Sequence, residues 1–197
     1  MTEDALLAAA RRGDHRAFAT LLDGYDRPLR ALAYRVLGDR DDMDDAMQEA
    51  AVKAFTNLSS FDGRSSFGTW LHRVTYTTCL NVLRARGGTP ESIDADDVGQ
   101  TEIRAGTGQL SQARLADSDL AAEVSERLDL EQALRALSAH QRAVVCLVLE
   151  LGFSLDQAAN ILDVPAGTVS SRLWHARAVL RRSLETPSGV RGDHGLE

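Results

Sequence analysis

Residues 87–127 constrain this chain more than any other stretch. They open with Gly87-Gly88-Thr89-Pro90 and continue rich in Gly, Ser, Asp and Gln, with few large apolar side chains. Such a segment cannot bury a core of its own. It therefore splits the chain into a block of residues 1–86 and a block of residues 128–185, both in the size range where small helical domains fold alone. Residues 186–197, beginning Thr186-Pro187-Ser188-Gly189, read as a frayed tail.

Both blocks are expected to be helical. The chain has 28 Ala and 27 Leu against 13 Val and 3 Ile, and Ala and Leu lose little side-chain freedom in a helix whereas β-branched residues lose χ1 freedom there. The expected class is all-α: two small helical domains joined by a flexible acidic linker. No window approaches the roughly 18 consecutive apolar residues of a membrane span. Met1-Thr2-Glu3-Asp4 carries no basic segment ahead of an apolar run, so no secretion signal and no membrane insertion are expected. Cys79 and Cys146 lie in apolar helical patterns without ligand spacing. They read as small core residues in a reducing cytoplasm.

The formal net charge is −7, which as an average argues against nucleic acid. Its distribution argues the other way. No acid occurs from Arg64 to Pro90, where Arg64, Arg73, Arg84 and Arg86 stand unopposed, whereas residues 89–131 hold eleven acids against three arginines. Residues 135–183 are basic again, with six arginines against Glu150, Asp156 and Asp163. Two locally basic segments around an acidic one suit a nucleic-acid-binding chain of acidic average.

In the first block, Ala17, Leu21, Leu22, Leu29, Leu32, Ala33, Val36 and Leu37 recur at helical spacing, and Pro28 either separates two short helices or starts the second. A run from Asp41 to Leu58 follows, with its acids at the N-terminal end where the helix dipole favours them. Phe61-Asp62-Gly63-Arg64-Ser65-Ser66-Phe67 reads as a short polar loop pinned by two Phe, opening a helix that continues to Arg86. Trp70 is placed with Val74 at core spacing but could also stack on a base. Arg73, Asn81, Arg84 and Arg86 are phosphate candidates, because no acid competes nearby.

In the second block, Ser154 is the expected N-cap of a short helix, with Gln157 at the capping-box spacing. A turn then leads to Pro165 at the first position of the next helix. At about 100° per residue, Val169, Leu173, Ala176 and Leu180 form one core stripe. Thr168, Ser171 and His175 fall opposite, flanked by Arg172. A polar face at the start of such a helix can enter a major groove and read base edges, while Arg177, Arg181 and Arg182 on its flanks meet phosphates. His175 has no metal-ligand partner three or four residues on.

These residues resemble a known family, the extracytoplasmic-function group of bacterial RNA polymerase sigma factors in the sigma-70 superfamily. Asp45-Ala46-Met47-Gln48-Glu49-Ala50 resembles its D-x-x-Q-E-[VA] signature, and Phe67 to Val74 resembles F-x-x-W-L-x-R-I. Leu137 to Val144 resembles L-P-x-x-x-R-x-V, and Pro165 to Leu173 resembles P-x-G-T-V-K-S-R-L. The four motifs stand in the family's order across residues 14–184. The chain departs from the pattern at Ser138, where Pro is frequent, at Ser170, where a basic residue is frequent, and at Thr77, where Asn is frequent. Ser170 and Thr77 fall on presumed DNA surfaces, so promoter preference does not carry over from relatives.

The resemblance implies a region 2-like domain over 1–86, a linker over 87–127, a region 4-like helix-turn-helix domain over 128–185 and a tail over 186–197. It implies core RNA polymerase, promoter DNA and an anti-sigma factor as partners. Asp45, Gln48 and Glu49 would contact the polymerase. Asp62, Gly63, Arg64, Ser65 and Ser66 would hold a base flipped out of the minus-ten element, aided on the DNA by Arg73, Asn81, Arg84 and Arg86; such a pocket offsets an unstacking cost of a few kcal/mol. Thr168, Ser170, Ser171, Arg172, His175, Arg177 and Arg181 would read the minus-thirty-five element. No Gly-rich nucleotide loop, nucleophile elbow or metal cage occurs, so neither catalytic residues nor a cofactor are expected. The competing reading is a conventional helix-turn-helix regulator whose first block senses a signal; the Asp45-Gln48-Glu49 and Phe67-Trp70 motifs count against it.

Overall fold

The computed structural model of the protein describes residues 2–87 and 130–185. The expected linker beyond Gly87, residues 128–129 and the expected tail lie outside the described residues. Within them the elements are α1 (Glu3–Arg11), α2 (His15–Leu37), α3 (Arg40–Thr56), a 3-10 turn (Leu58–Ser60) and α4 (Phe67–Ala85). After the gap come α5, helical over 130–135, then α6 (Ala139–Val145), a π-helical turn (Cys146–Glu150), α7 (Leu155–Leu162) and α8 (Ala166–Glu185). No strand occurs among the described residues, in keeping with the all-α expectation.

Short polar side chains start these helices by satisfying amide groups that have no partner in the first turn. Asp14 accepts from the amides of Arg16 and Ala17, Asp39 from Asp42, and Ser66 from Thr69. Ser154 and Gln157 form the expected capping box, and Ser138 and Gln141 form a second one. Ser138 thus substitutes a reciprocal cap for the proline that the sigma pattern favours. Gly38 ends α2 at φ +73°, a left-handed position that glycine adopts without strain.

Pro28 neither divides nor begins a helix, because α2 runs through it from His15 to Leu37. A proline there forfeits one amide bond and crowds the carbonyl four residues back. That carbonyl belongs to exposed Gly24, and Leu21 and Leu29 are buried on either side of the kink-prone turn. Tertiary packing therefore carries the helix across a local breaker. The first helix, α1, was not legible as an element, yet it buries Leu6 and Ala10 against α2, and its Glu3 accepts a 2.6 Å hydrogen bond from Tyr25.

In the first block α2, α3 and α4 pack against one another. The buried face of α3 is Ala46, Ala50 and Ala54, side chains small enough to let its backbone come close to its neighbours. In the second, α6, α7 and α8 enclose Val144, Leu147, Ile161, Val169, Leu173 and Ala176. The two blocks also meet, α6 on α2 and α7 on α4. One buried cluster runs from Leu32, Val36 and Cys79 into Val144 and Ile161. Each fully buried aliphatic side chain in it contributes about 1.5–3 kcal/mol. Burial also pushes the thiols of Cys79 and Cys146 up to about 12, so both remain protonated core residues.

Candidate functional site

Three exposed surfaces gather the residues singled out in the sequence. The first is the outer face of α3. Because Ala46, Ala50 and Ala54 turn inward, Asp45, Gln48 and Glu49 are left exposed on the opposite side. Glu49 pairs with Lys53 one turn on at 2.6 Å, an exposed i,i+4 contact of little energetic weight. Val52 shares this face and is 65% exposed. The sequence reading passed over it, although its spacing of three and four residues from Glu49 and Gln48 would have placed it there.

The second surface begins in the loop before α4. Asp62 accepts from the backbone amide of Arg64 at 3.1 Å and also pairs with the Arg64 guanidinium, so its carboxyl is held below its ordinary value, chiefly by the amide and then by the guanidinium. Gly63 turns the chain at φ +77°. Asp62, Gly63, Arg64 and Ser66 are exposed and Ser65 is half-buried, while Ser66 also caps α4. Beneath the loop lie Phe61, Phe67 and Trp70, with ring centres 5.6–5.7 Å apart. Trp70 is half-buried, at once part of the aromatic cluster and within reach of solvent. Arg11 of α1 donates to the carbonyl of Phe61 and lies 5.5 Å from that ring centre, tying the loop to the N-terminal helix.

Along α4 the loop continues into a stripe one residue wide. Arg73, Thr77, Asn81 and Arg84 are exposed at successive turns, while His72, Thr75, Tyr76, Thr78, Cys79 and Leu80 are buried between them. Arg84 donates to the Asn81 carboxamide at 3.2 Å. The expectation that no acid competes for the arginines of this helix fails at two of them, because acids distant in sequence fold against it: Arg73 pairs with Asp163 at 2.8 Å, and Arg86 pairs with Asp42, a carboxylate buried at the start of α3. Arg86 thus ties the end of α4 to α3.

The third surface is α8. Val169, Leu173 and Ala176 are buried, and Leu180 is half-buried at the end of the stripe, as the spacing predicts. Ser170, Ser171, His175, Arg177 and Arg181 are exposed, and Thr168 is half-buried. The exposed Ser171 hydroxyl donates to the Thr168 carbonyl at 3.2 Å, a local bond that leaves its oxygen able to accept another. Arg172 is half-buried, with Nε and Nη1 shielded from solvent, so it sits deeper than Ser170, Ser171 and His175. Trp174 is 67% exposed beside His175, 4.9 Å between ring centres. The sequence reading missed it; its place one residue past the core Leu173, off the buried stripe, was the available signal.

Among the described residues no group of His, Cys, Asp and Glu could hold a metal ion, and no helix is long and apolar enough to cross a membrane.

Comparison with known proteins adds to this geometry. Residues 21–89 match the family described as Sigma-70 region 2, and residues 127–180 match the one described as Sigma-70, region 4. The chain is 31% identical over 187 residues to the ECF RNA polymerase sigma-E factor of Haemophilus influenzae, covering 94% of this chain and 96% of that relative. It is 30% identical over 185 residues to the sigma-E factor of Escherichia coli, covering 94% and 95%. Among solved structures, CnrH in complex with the cytosolic domain of CnrY superposes with a TM-score of 0.65 at 23% identity, covering 94% of this chain and 99% of that one. The sigma factor RpoE in complex with the anti-sigma factor NepR from Bartonella quintana superposes at 0.56 with 29% identity, covering 81% and 91%.

Proposed function

The chain belongs to the extracytoplasmic-function group of RNA polymerase sigma factors, and from that premise we propose how its surfaces divide the work of bringing core polymerase to promoters and opening the duplex. The outer face of α3, with Asp45, Gln48 and Glu49, docks on core polymerase. The loop 62–66 receives a base flipped from the minus-ten element, and Arg73, Asn81 and Arg84 hold the adjacent backbone, with Arg86 at the edge of that surface. The exposed start of α8 enters the major groove of the minus-thirty-five element, where Thr168, Ser170, Ser171 and His175 lie nearest the base edges and Arg177 and Arg181 face phosphates. Arg172 supports this face from its inner edge.

The observation that carries the reading is the chain-long similarity to sigma factors together with the exposure of the motif residues on separate helices. A conventional regulator would not need a region 2 fold in its first block, and residues 21–89 match one. The domain limits proposed are 1–86 and 128–185, with 87–127 as linker and 186–197 as tail. The role is non-enzymatic, needs no cofactor, and belongs in the cytoplasm where the polymerase works. An anti-sigma factor is a further partner, as it is for the RpoE of Bartonella quintana.

Transcription in vitro on a library of promoter sequences tests the proposal. Core polymerase supplemented with this chain is expected to initiate at a restricted set sharing a minus-ten and a minus-thirty-five element. Initiation no different from core polymerase alone would overturn it.

A further inference from the structure

The contact between the two blocks is built from more than apolar packing. At one end Arg142 of α6 donates to the carbonyls of Arg35 at 2.6 Å and Val36 at 2.8 Å, and to its own Leu137 at 2.6 Å. A guanidinium is thereby seated on the last turn of α2, where the helix dipole and the unpaired carbonyls both favour a cation. Arg35 reaches back to Glu150 at 2.8 Å and Glu131 at 3.2 Å. In the middle, the Tyr76 hydroxyl and His140 Nδ1 share a buried hydrogen bond. At the other end Arg73 meets Asp163.

Between these lies His72 of α4, only 2% exposed, with its ring against Phe153 of the second block at 4.9 Å. Its Nδ1 donates to the Gly68 carbonyl at 2.7 Å, which leaves the lone pair on Nε2. That nitrogen is buried without a hydrogen-bond partner among the described residues. The charged and titratable groups along the seam are Arg73, Asp163, Tyr76, His140, Arg35, Arg142, Glu131 and Glu150. None of the contacts described supplies an acceptor to Nε2.

We propose that this seam is a closed state of the two domains that acid opens, with His72 as the group that takes up the proton. Protonating Nε2 in the closed form places a charged donor against an aromatic ring with nothing to receive its hydrogen bond. Once the domains part, Nε2 faces water at no such cost. The direction follows from burial, which lowers the value of His72 in the closed form below its ordinary 6.5 even though the bond to Gly68 acts in the opposite sense. Closure is therefore fully favoured above the ordinary histidine value and is lost as pH falls from there toward the lower closed-state value. Over that window the open-to-closed ratio rises by up to about tenfold per pH unit.

The consequence for transcription rests on the proposed function, whereas the seam's response to pH does not. In the closed form Asp163, three residues ahead of α8, touches Arg73 of α4. The two promoter elements lie some tens of ångströms apart at about 3.4 Å per base pair. The closed form cannot read both at once, and opening frees Arg73 for DNA.

The test uses the full chain with dyes on Asp23→Cys and Asn160→Cys, exposed sites on α2 and α7, the native Cys79 and Cys146 being buried. Energy transfer is followed from pH 8 to 5.5, with far-ultraviolet circular dichroism to confirm retained helix. The parent is expected to lose transfer below about 6.5, His72→Leu to keep high transfer throughout, and Arg142→Gln to show low transfer already at pH 8. Constant transfer in the parent, or a His72→Leu response matching it, would overturn the proposal. So would Arg142→Gln matching the parent at pH 8. If His72→Leu does not fold, the His72 ring titration followed by NMR decides. A value below that of an exposed histidine in the parent, returning to ordinary in Arg142→Gln, supports the proposal; an ordinary value in the parent overturns it.

Discussion

Helices α4 and α8 both carry expected DNA contacts, yet they are embedded to different depths. Most of α4 is buried, against α2 and α3 on one side and α7 on another, so the exposed side chains of Arg73, Thr77 and Asn81 each stand beside a core residue. Among the described side chains of α8 only Val169, Leu173 and Ala176 are buried, and much of the remaining described surface is open. A substitution on α4 therefore risks altering the fold together with any DNA contact, whereas the outer face of α8 can be changed with little structural cost. The same contrast separates Arg86, which ties α4 to a buried carboxylate, from Arg181, which stands exposed.

The largest expected effect comes from breaking the embedded helix. Leu71 is 1% exposed, in the buried cluster that also holds Phe61 and Phe67, and Leu71→Ala should cost about 2–5 kcal/mol in urea or thermal unfolding. A loss under 1 kcal/mol would mean that α4 is less deeply set than its burial implies. Next comes Gly68→Ala. A methyl there would stand 2.7 Å from Cε1 of Tyr25, and forcing the ring aside should cost about 1–3 kcal/mol.

On α8 the expectation shifts from stability to reading. Ser171→Ala should leave unfolding within about 0.5 kcal/mol of the parent. It should cost about 1–3 kcal/mol on promoters bearing the preferred base and alter the preference there. Arg181→Ala should instead weaken every sequence alike and reduce the salt slope by about one, because a phosphate contact releases counterions whatever the base. A base-by-base promoter scan at two salt concentrations separates the two outcomes. Equal losses for Ser171→Ala on all sequences would remove α8's outer face from the reading surface.

Local signals carried much of this arrangement. The spacing of Val169, Leu173 and Ala176 and the capping box of Ser154 and Gln157 follow from periodicity or from short-range pairing, which one sequence displays, whereas the Asp45-Gln48-Glu49 set is what the family resemblance implies. What escaped depends on distant partners. Pro28 sits within a helix because packing by Leu21 and Leu29 outweighs its local effect. Arg142 reaches carbonyls 107 and 106 residues away, and no spacing rule encodes that contact. Ser138 with Gln141 had the same capping spacing as Ser154 with Gln157, so that second box was legible and went unread. Val52 and Trp174 escaped for a different reason: apolar types are assigned to cores by default, although the spacing of each relative to its neighbours puts it outside.

Affinity for core RNA polymerase tests the central claim most directly, because it separates a sigma factor from any other helix-turn-helix protein. Fluorescence anisotropy of the labelled chain titrated with core polymerase should show saturable binding. Asp45→Lys combined with Glu49→Lys should weaken it by at least about tenfold, or about 1.4 kcal/mol, with helix content unchanged since exposed helix charges contribute little to folding. Absence of binding by the parent, or undiminished binding by the folded double variant, would contradict the account.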